Sequence, residues 1–408
     1  VIADIALRTC TDDDFAAVTA LVSGALLMEA DDDVLAVRRL VFEPARTHVA
    51  VDADRIVAAG GVFTREMTVP GTTLPVAHVT GVGVAPTHRR RGLLTAVMTD
   101  LLDTVHTAGA EPIAALWASE GGIYGRYGYG LASWNVGYEL LTKETTVPGV
   151  TQPGRLREVV PAEERATMAE VLDRARGTYP GVSSRPGGWW QRRTADVVSR
   201  RGGWSAERAV LCSGPDGADG YAMWRTKGGW GASGPIGEAM VTEVVAETAE
   251  AYAALWRFLV SIDLVRTVRY EFAAVDEPLV HLLDNPGGLV RSTGPGLWVR
   301  VVDLPAALAA RRYAAPVDVV LEVDDELIPG NAGRWRLVGD RSSATCVLTT
   351  ASPDLTMDVG VLGSVYLGGV SLRSLSDAGL VREHDAGRVA SASAAFGWDR
   401  APRSWEIF

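Results

Sequence analysis

The residues best suited to chemistry lie together in Val82-Gly83-Val84-Ala85-Pro86-Thr87-His88-Arg89-Arg90-Arg91-Gly92-Leu93-Leu94. This run follows an apolar, β-branched stretch and opens an apolar pattern of helical period. At such a junction the first N–H groups of the helix have no intrahelical partner, and the helix dipole places positive potential over them. Gly92 removes the side chain that would keep an anion at a distance. Arg89, Arg90 and Arg91 supply charge-assisted donors for phosphate oxygens. The ligand that matches is a diphosphate. A solvated basic run at a helix start competes on composition alone, and the position between strand and amphipathic helix favours the anion site.

A second candidate is Tyr124, within Ala118-Ser-Glu-Gly-Gly-Ile-Tyr-Gly-Arg-Tyr-Gly-Tyr-Gly130. A phenol of ordinary pKa, about 10, is protonated at neutral pH and can donate to a leaving group. Tyr124, Tyr127 and Tyr129 can equally pack a short helix, and the residues alone leave both readings open. Glu29, Asp31, Asp32, Asp33 and Glu120 could attract a cation or merely solvate helix starts. Cys10, Cys212 and Cys346 stand far apart with no CxxC pair, and the six histidines show no HExxH spacing, so no metal site is expected. The formal charge of −11 argues against nucleic acid or an anionic membrane and suits a cationic substrate. The Trp189–Trp204 patch of tryptophans and arginines is therefore read as packing rather than as a stacking platform.

The elements that must position these residues alternate along the first third. Thr11 and Asp14 resemble a capping box ahead of Phe15, Val18, Leu21, Val22 and Leu26. A short helix to Leu40, strands at Thr47–Val51 and Ile56–Thr64 around an Asp52–Asp54 turn, and a strand at Val76–Ala85 follow. A helix over Gly92–Val105, a strand over Ile113–Trp117, a short helix over Ile123–Tyr127 and a strand over Ala132–Leu141 complete the region. Pro148-Gly149 and Pro153-Gly154 mark a linker. The middle region repeats the order: strand, helix Pro161–Ala175, strands near Val210 and Tyr221, a long helix from about Val245 to Val260, and a strand over Val268–Phe272. That order suggests a degenerate duplication whose own strand-to-helix junction, Ala239–Glu247, carries no arginine-glycine loop. The last region reads as a helix over Leu304–Arg311, strands at Val317–Val323, Trp335–Leu337 and Ala344–Thr349, and helical patterns from Val359 to Ala395. The 408 residues thus divide into domains at 1–147, 155–295 and 297–408. Val1–Arg8 lacks a basic segment followed by an apolar run, and no apolar stretch is long enough to span a bilayer, so a cytoplasmic location is expected.

V-x-V-x-P-x-x-R-R-x-G resembles the acetyl-CoA signature of the GCN5-related N-acetyltransferase (GNAT) superfamily. Arg89, Gly92 and Leu94 fall on its Q/R-x-x-G-x-G/A core, with Leu94 replacing the usual small residue. Val84–Leu94, Ala118–Gly130, Asp303–Arg311 and Val361–Gly369 further resemble the enhanced intracellular survival (Eis) family, and the similarity spans essentially the whole chain. It implies an α+β fold: tandem GNAT folds, the first active and the second degenerate, followed by a sterol-carrier-protein-like domain. It also implies homo-hexamers and acetylation of aminoglycoside amines from acetyl-CoA, with no metal. By resemblance Val82 and Val84 bind the pantetheine arm and thioester, Arg89, Arg90, Gly92, Leu93 and Leu94 hold the diphosphate, and Tyr124 is the general acid. The carboxylate of Phe408 is implied as base. Glu406 is a candidate substrate contact beside Glu29 and Glu120, with Ile407 standing where the family carries an acidic residue. Two other activities fit the same donor half: acetylation of protein lysines or polyamines, or lipid carriage with a vestigial GNAT site.

Overall fold

The computed structural model describes residues 5–149 and 155–408; the Pro153-Gly154 linker signal and the first four residues of the Val1–Arg8 segment lie outside them. The chain forms two compact units. One holds the chain up to Ser133 together with Pro295–Pro402 and Ile407–Phe408, and the other holds Trp134–Gly294 with Arg403–Glu406.

In the first unit the elements are β1 (Ile5–Thr9), α1 (Phe15–Ala25), α2 (Asp32–Arg39), β2 (Thr47–Asp52), β3 (Arg55–Val69), β4 (Thr72–Val84), α3 (Leu93–Ala108), β5 (Ile113–Trp117), α4 (Gly121–Tyr124) and β6 (Tyr129–Leu131). Among the described residues they build a seven-stranded sheet in the order β1-β2-β3-β4-β5, then Leu297–Val301, then β6. The Thr11–Asp14 capping box forms as expected. Asp31 caps α2 by accepting from the Val34 amide at 2.8 Å, and Asp32 and Asp33 occupy its first turn, where carboxylates favour the helix dipole. The strand expected from Val76 begins at Thr72, because Pro70-Gly71, with Gly71 at φ +76°, turns β3 directly into β4.

Side-chain alternation divides β4 between two faces. Ala77 and Val79 pack with Met98, Leu101 and Leu102 of α3, and Val82 packs partly against the same cluster. A side chain at Gly83 would meet Ala25 of α1 at 3.1 Å, so α1 covers the opposite face.

The rest of this unit is a five-stranded sheet in the order Ala344–Leu348, Gly333–Gly339, Val317–Asp324, Leu355–Asp358, Val381–Glu383. The last of these strands interrupts the run expected to be helical from Val359 to Ala395. Helix Val359–Val365 packs backbone to backbone on the first sheet. A Cβ at Gly130 would lie 1.9 Å from the Gly360 carbonyl oxygen, and one at Gly363 would lie 2.1 Å from that of Val299. Buried Arg300 is held there by Asp325 at 2.7 Å.

The second unit repeats the arrangement. Its sheet runs Leu289–Pro295, Trp134–Leu141, Val265–Ala273, Gly237–Ala246, Gly217–Lys227, Arg208–Gly214, Leu156–Val159, with Gly237–Ala246 parallel to Val265–Ala273. The two sheets therefore exchange a strand. Trp134–Leu141, which a boundary at 147 leaves with the first region, pairs in the second sheet, while Leu297–Val301 pairs between β5 and β6 of the first. The chain changes sheet at Ser133, whose hydroxyl accepts from the Leu297 amide at 2.8 Å.

The helix expected from about Val245 starts at Ala249. Val241, Thr242, Val244 and Val245 are β-branched and continue the strand, and Thr248 caps the helix by accepting from the Ala251 amide. The tryptophan-arginine patch packs inward. Trp189 and Trp190 are buried, Arg192 lies over the Trp189 ring, and Arg193 pairs with Glu207 and Glu243.

Candidate active site

The site is made by a parting of strands. β4 and β5 pair in parallel at Val76, Ala77 and His78, opposite Ile113, Ala114 and Ala115, and then stop, although β4 continues to Val84 and β5 to Trp117. On its other edge β4 stays paired with β3, but the two β4 residues between Thr80 and Gly83 face the single β3 residue between Gly61 and Ala59. The extra residue is a bulge at Gly81, whose φ of +60° lies in the left-handed region. Among the described residues, β4 from Val79 onward thus offers β5-facing main-chain groups with no strand partner, and the bulge re-aims those near Val82.

Past the parting, the loop anticipated as a diphosphate cradle closes on α3. It is pinned at its base by the Ala85 amide on the Val57 carbonyl at 2.8 Å and by His88 Nε2 against Asp52 at 2.9 Å. Arg90 at φ +61° and Gly92 at φ +83° alternate left-handed positions around Arg91, which turns successive amides to one side as an anion-binding concavity requires. Gly92 is the N-cap of α3, and no side chain of the described residues caps that helix. A Cβ added at Gly92 would meet nothing within 4 Å, so the space over the helix start is open. Arg89, Arg90, Arg91 and Gly92 are exposed, while Leu93 is buried beneath them among Ala58, Ala85 and Val97. Leu94 is half-buried and packs against the apolar cluster of Val79, Met98 and Leu101.

Val82, Leu94 and Tyr124 belong to that one cluster, so the structure brings the strand, the helix start and the phenol together. α4 delivers Tyr124, and its ring meets Tyr129 edge-on at 6.1 Å. Burial pushes the Tyr124 hydroxyl up to about 12, with smaller contributions from Tyr127 and from the charge of exposed Glu120. The proton stays on this phenol at any physiological pH, the state an acid needs before transfer.

Phe408 enters from the other face of β4. Its backbone oxygen accepts from Thr80 Oγ1 at 3.2 Å, and its ring packs edge-on against His78 at 4.6 Å. Neither His78 nor Thr80 is among the residues that sequence reasoning puts forward. The signal that could find them is two polar residues on alternate positions of an otherwise apolar strand, which share one face. Val84 is half-buried at the end of β4, and Glu29 is exposed between α1 and α2. Glu406 belongs to the second unit, where its carboxylate meets Arg185 Nε at 3.1 Å. Among the described residues no group of three or more His, Cys, Asp or Glu side chains is placed to hold a metal ion.

A strand that parts from its parallel neighbour, a central bulge and an uncapped, arginine-flanked helix start define an acyltransferase of the GNAT class. Family models agree: an acetyltransferase (GNAT) domain matches residues 6–132, a second GNAT domain matches 181–301, and a sterol carrier protein domain matches 304–405. An uncharacterized N-acetyltransferase of Streptomyces avermitilis is 43% identical over 86% of each chain. The N-acetyltransferase Eis of Mycobacterium tuberculosis is 38% identical over 82% of this chain and 81% of its own. Eis1 from Mycobacterium abscessus superposes with a TM-score of 0.86 at 30% identity, covering 99% of this chain and all of that one. The chain belongs to the Eis family of N-acetyltransferases, with two GNAT domains followed by a sterol-carrier-like domain.

Proposed function

We propose that this N-acetyltransferase takes its acyl group from acetyl-CoA and places it on amines of polycationic small molecules of the aminoglycoside kind, at several positions where several amines present themselves. The coenzyme supplies the acetyl group as a thioester, a carbonyl already open to nucleophiles. The observation that carries the reading is the open, uncapped start of α3 at Gly92, flanked by three arginines and set next to the parting of β4 and β5. Arg89, Arg90 and the amides after Gly92 bind the diphosphate; Leu93 and Leu94 seat the helix beneath it. Val82 and Val84 offer main-chain groups to the pantetheine arm and polarise the carbonyl.

The acceptor amine forms a C–N bond at that carbonyl as the C–S bond breaks. Tyr124 gives its proton to the departing sulfur. Phe408, taken as the terminal residue, receives the amine's proton on its carboxylate, through water where the reach demands it. An α-carboxyl has a reference pKa of roughly 3.3–3.7, which makes it a weak base for an ammonium proton and gives a water relay its use. Holding both reactants in line contributes up to roughly 7–11 kcal/mol in well-oriented cases. Glu29 and Glu120, exposed carboxylates on the first unit, draw the cation in, and the net charge of −11 supports such an acceptor.

Protein lysines and polyamines remain the second acceptor class, since the donor half is indifferent to them. Coenzyme release followed with kanamycin, spermidine and a lysine peptide, with products weighed by mass spectrometry, separates these readings. Silence with every amine, together with lipid uptake, would instead favour the carrier. The proposed assembly is a homo-hexamer of the 43.3 kDa chain, read by light scattering. Among the described residues no helix is long and apolar enough to cross a membrane, and acetyl-CoA chemistry fits a cytoplasmic setting.

A further inference from the structure

Residue 408 is held at both of its ends by one face of one strand. His78 and Thr80 stand two apart on β4, hence on the same side, opposite Ala77 and Val79. His78 is fully buried, and its Nδ1 lies 2.8 Å from the Val76 carbonyl oxygen. A carbonyl cannot donate, so Nδ1 carries the proton there, and the ring is fixed to its own strand. That fixed ring presents itself edge-on to the Phe408 ring at 4.6 Å and 71°, while Thr80 donates at 3.2 Å to the Phe408 backbone oxygen, which in a terminal residue is one of the two carboxylate oxygens. Phe408 is only 7% exposed as a result. His78 is also the last β4 residue paired with β5, and Thr80 lies past the parting, so the two contacts straddle its apex.

We infer that His78 and Thr80 are positioning residues that together seat Phe408, taken as the terminal residue, at the parting: the imidazole fixes the ring, the hydroxyl holds one carboxyl oxygen, and the pair sets where the other points. One anchor alone leaves residue 408 free to pivot about it; two anchors on one strand do not. A base must lie within hydrogen-bond reach of its proton, and misplacement by about 1 Å costs on the order of 100-fold. Losing the Nδ1–H bond to Val76 loosens the ring as well, so an apolar ring of similar size should restore the seat only in part. The inference rests on the proposed role of Phe408, and its test has one readout that does not.

The variants are His78→Ala, His78→Phe and Thr80→Val in the full chain. Carboxypeptidase A release of Phe408, followed by mass spectrometry, reports seating irrespective of catalysis. His78→Ala should release Phe408 at least roughly tenfold faster, Thr80→Val several-fold faster, and His78→Phe at a rate between those of His78→Ala and the unmodified protein. In turnover, His78→Ala should lose about 10–100-fold in kcat with KM for acetyl-CoA changed less than about twofold, and His78→Phe should recover part of the loss. Release at the unmodified rate from both His78→Ala and Thr80→Val overturns the seating. Should His78→Ala fail to fold, Thr80→Val, which exchanges a hydroxyl for a methyl, carries the test alone. A protein lacking Phe408 that turns over at full rate refutes the base and leaves the protease result to judge the seating.

Discussion

Gly92→Ala is the sharpest test of the diphosphate cradle, because the structure separates its two costs. At φ +83° a residue with a Cβ is strained by about 1–2 kcal/mol. Sterics add little, since an added Cβ meets nothing within 4 Å. The unliganded protein should therefore lose no more than that strain, and its melting temperature only a few degrees. Binding suffers differently. Either the methyl group occupies the space the diphosphate needs, or φ relaxes and turns the amides of the first turn of α3 away. Each loses at least one hydrogen bond to a charged group, about 1.5–3 kcal/mol. At about 1.4 kcal/mol per factor of ten, Kd for acetyl-CoA should rise roughly 10- to 150-fold. Titration calorimetry measures it, with S-acetylpantetheine, which lacks the diphosphate, as control: its KM should not change. An unchanged Kd for acetyl-CoA, or equal weakening of both donors, refutes the cradle.

Tyr124→Phe should lower kcat by about 10²–10⁴-fold while leaving acetyl-CoA affinity within about twofold, by stopped-flow and calorimetry; full turnover removes the phenol from the acid role. With that hydroxyl pushed up to about 12, no alkaline loss of rate from its ionisation is expected below pH about 10. Residues appended after Phe408 should suppress turnover without weakening coenzyme binding, and an active tagged enzyme refutes the base. In the second unit, burial works to raise the Glu243 carboxyl, but Arg185 and Arg193 outweigh it and hold the group below its ordinary value. A depressed carboxyl stabilises fully above its unfolded pKa, near 4.5, and the contribution is lost as pH falls through the lower folded value. Melting should therefore be insensitive to this group from pH 7 to about 5 and fall below that. Glu243→Gln should cost about 3–5 kcal/mol at pH 7 by leaving buried Arg185 without its bidentate partner, and stability equal to the parent's refutes this. Finally, calorimetry should find one acetyl-CoA per chain, and two would overturn the assignment of the second GNAT domain as degenerate.

What could be read from the sequence was what is local. Arg89 to Gly92 announce an anion site within four residues, and Ile113–Trp117 matched its strand to the residue because it is a short apolar run between Pro112 and Gly121. The alternation of Trp134–Leu141 and Leu297–Val301 says strand but not which sheet, since pairing partners lie more than 100 residues away. The bulge at Gly81 depends on register with β3, and the approach of Phe408 to His78 spans 330 positions. Periodicity carries no information about either.

The second GNAT domain repeats the topology of the first with different chemistry at the corresponding helix start. Gly237–Ala246 is parallel to Val265–Ala273 only as far as Val241 and Tyr270, so this sheet parts as the first one does. The helix beyond this parting differs from α3 in charge and in capping. Helix Ala249–Val260 begins with the Thr248 hydroxyl satisfying the Ala251 amide, with Glu247 ahead of it and Glu250 in its first turn. The partial positive charge of that helix start is already answered by carboxylates, and one of its free amides is taken. In α3 the same position has an uncapped glycine, three arginines and no acid in the first turn. The interior of the second unit is likewise committed. Glu243, two residues beyond the parting, binds Arg185 through paired 2.8 Å contacts and Tyr221 through its hydroxyl, and Arg185 also holds Glu406. A diphosphate arriving there would meet acids where the first domain offers arginines, and the space along the strand is filled by side chains of its own unit. The two helix starts thus differ in a cap and in the sign of the neighbouring charge, while both sheets part alike.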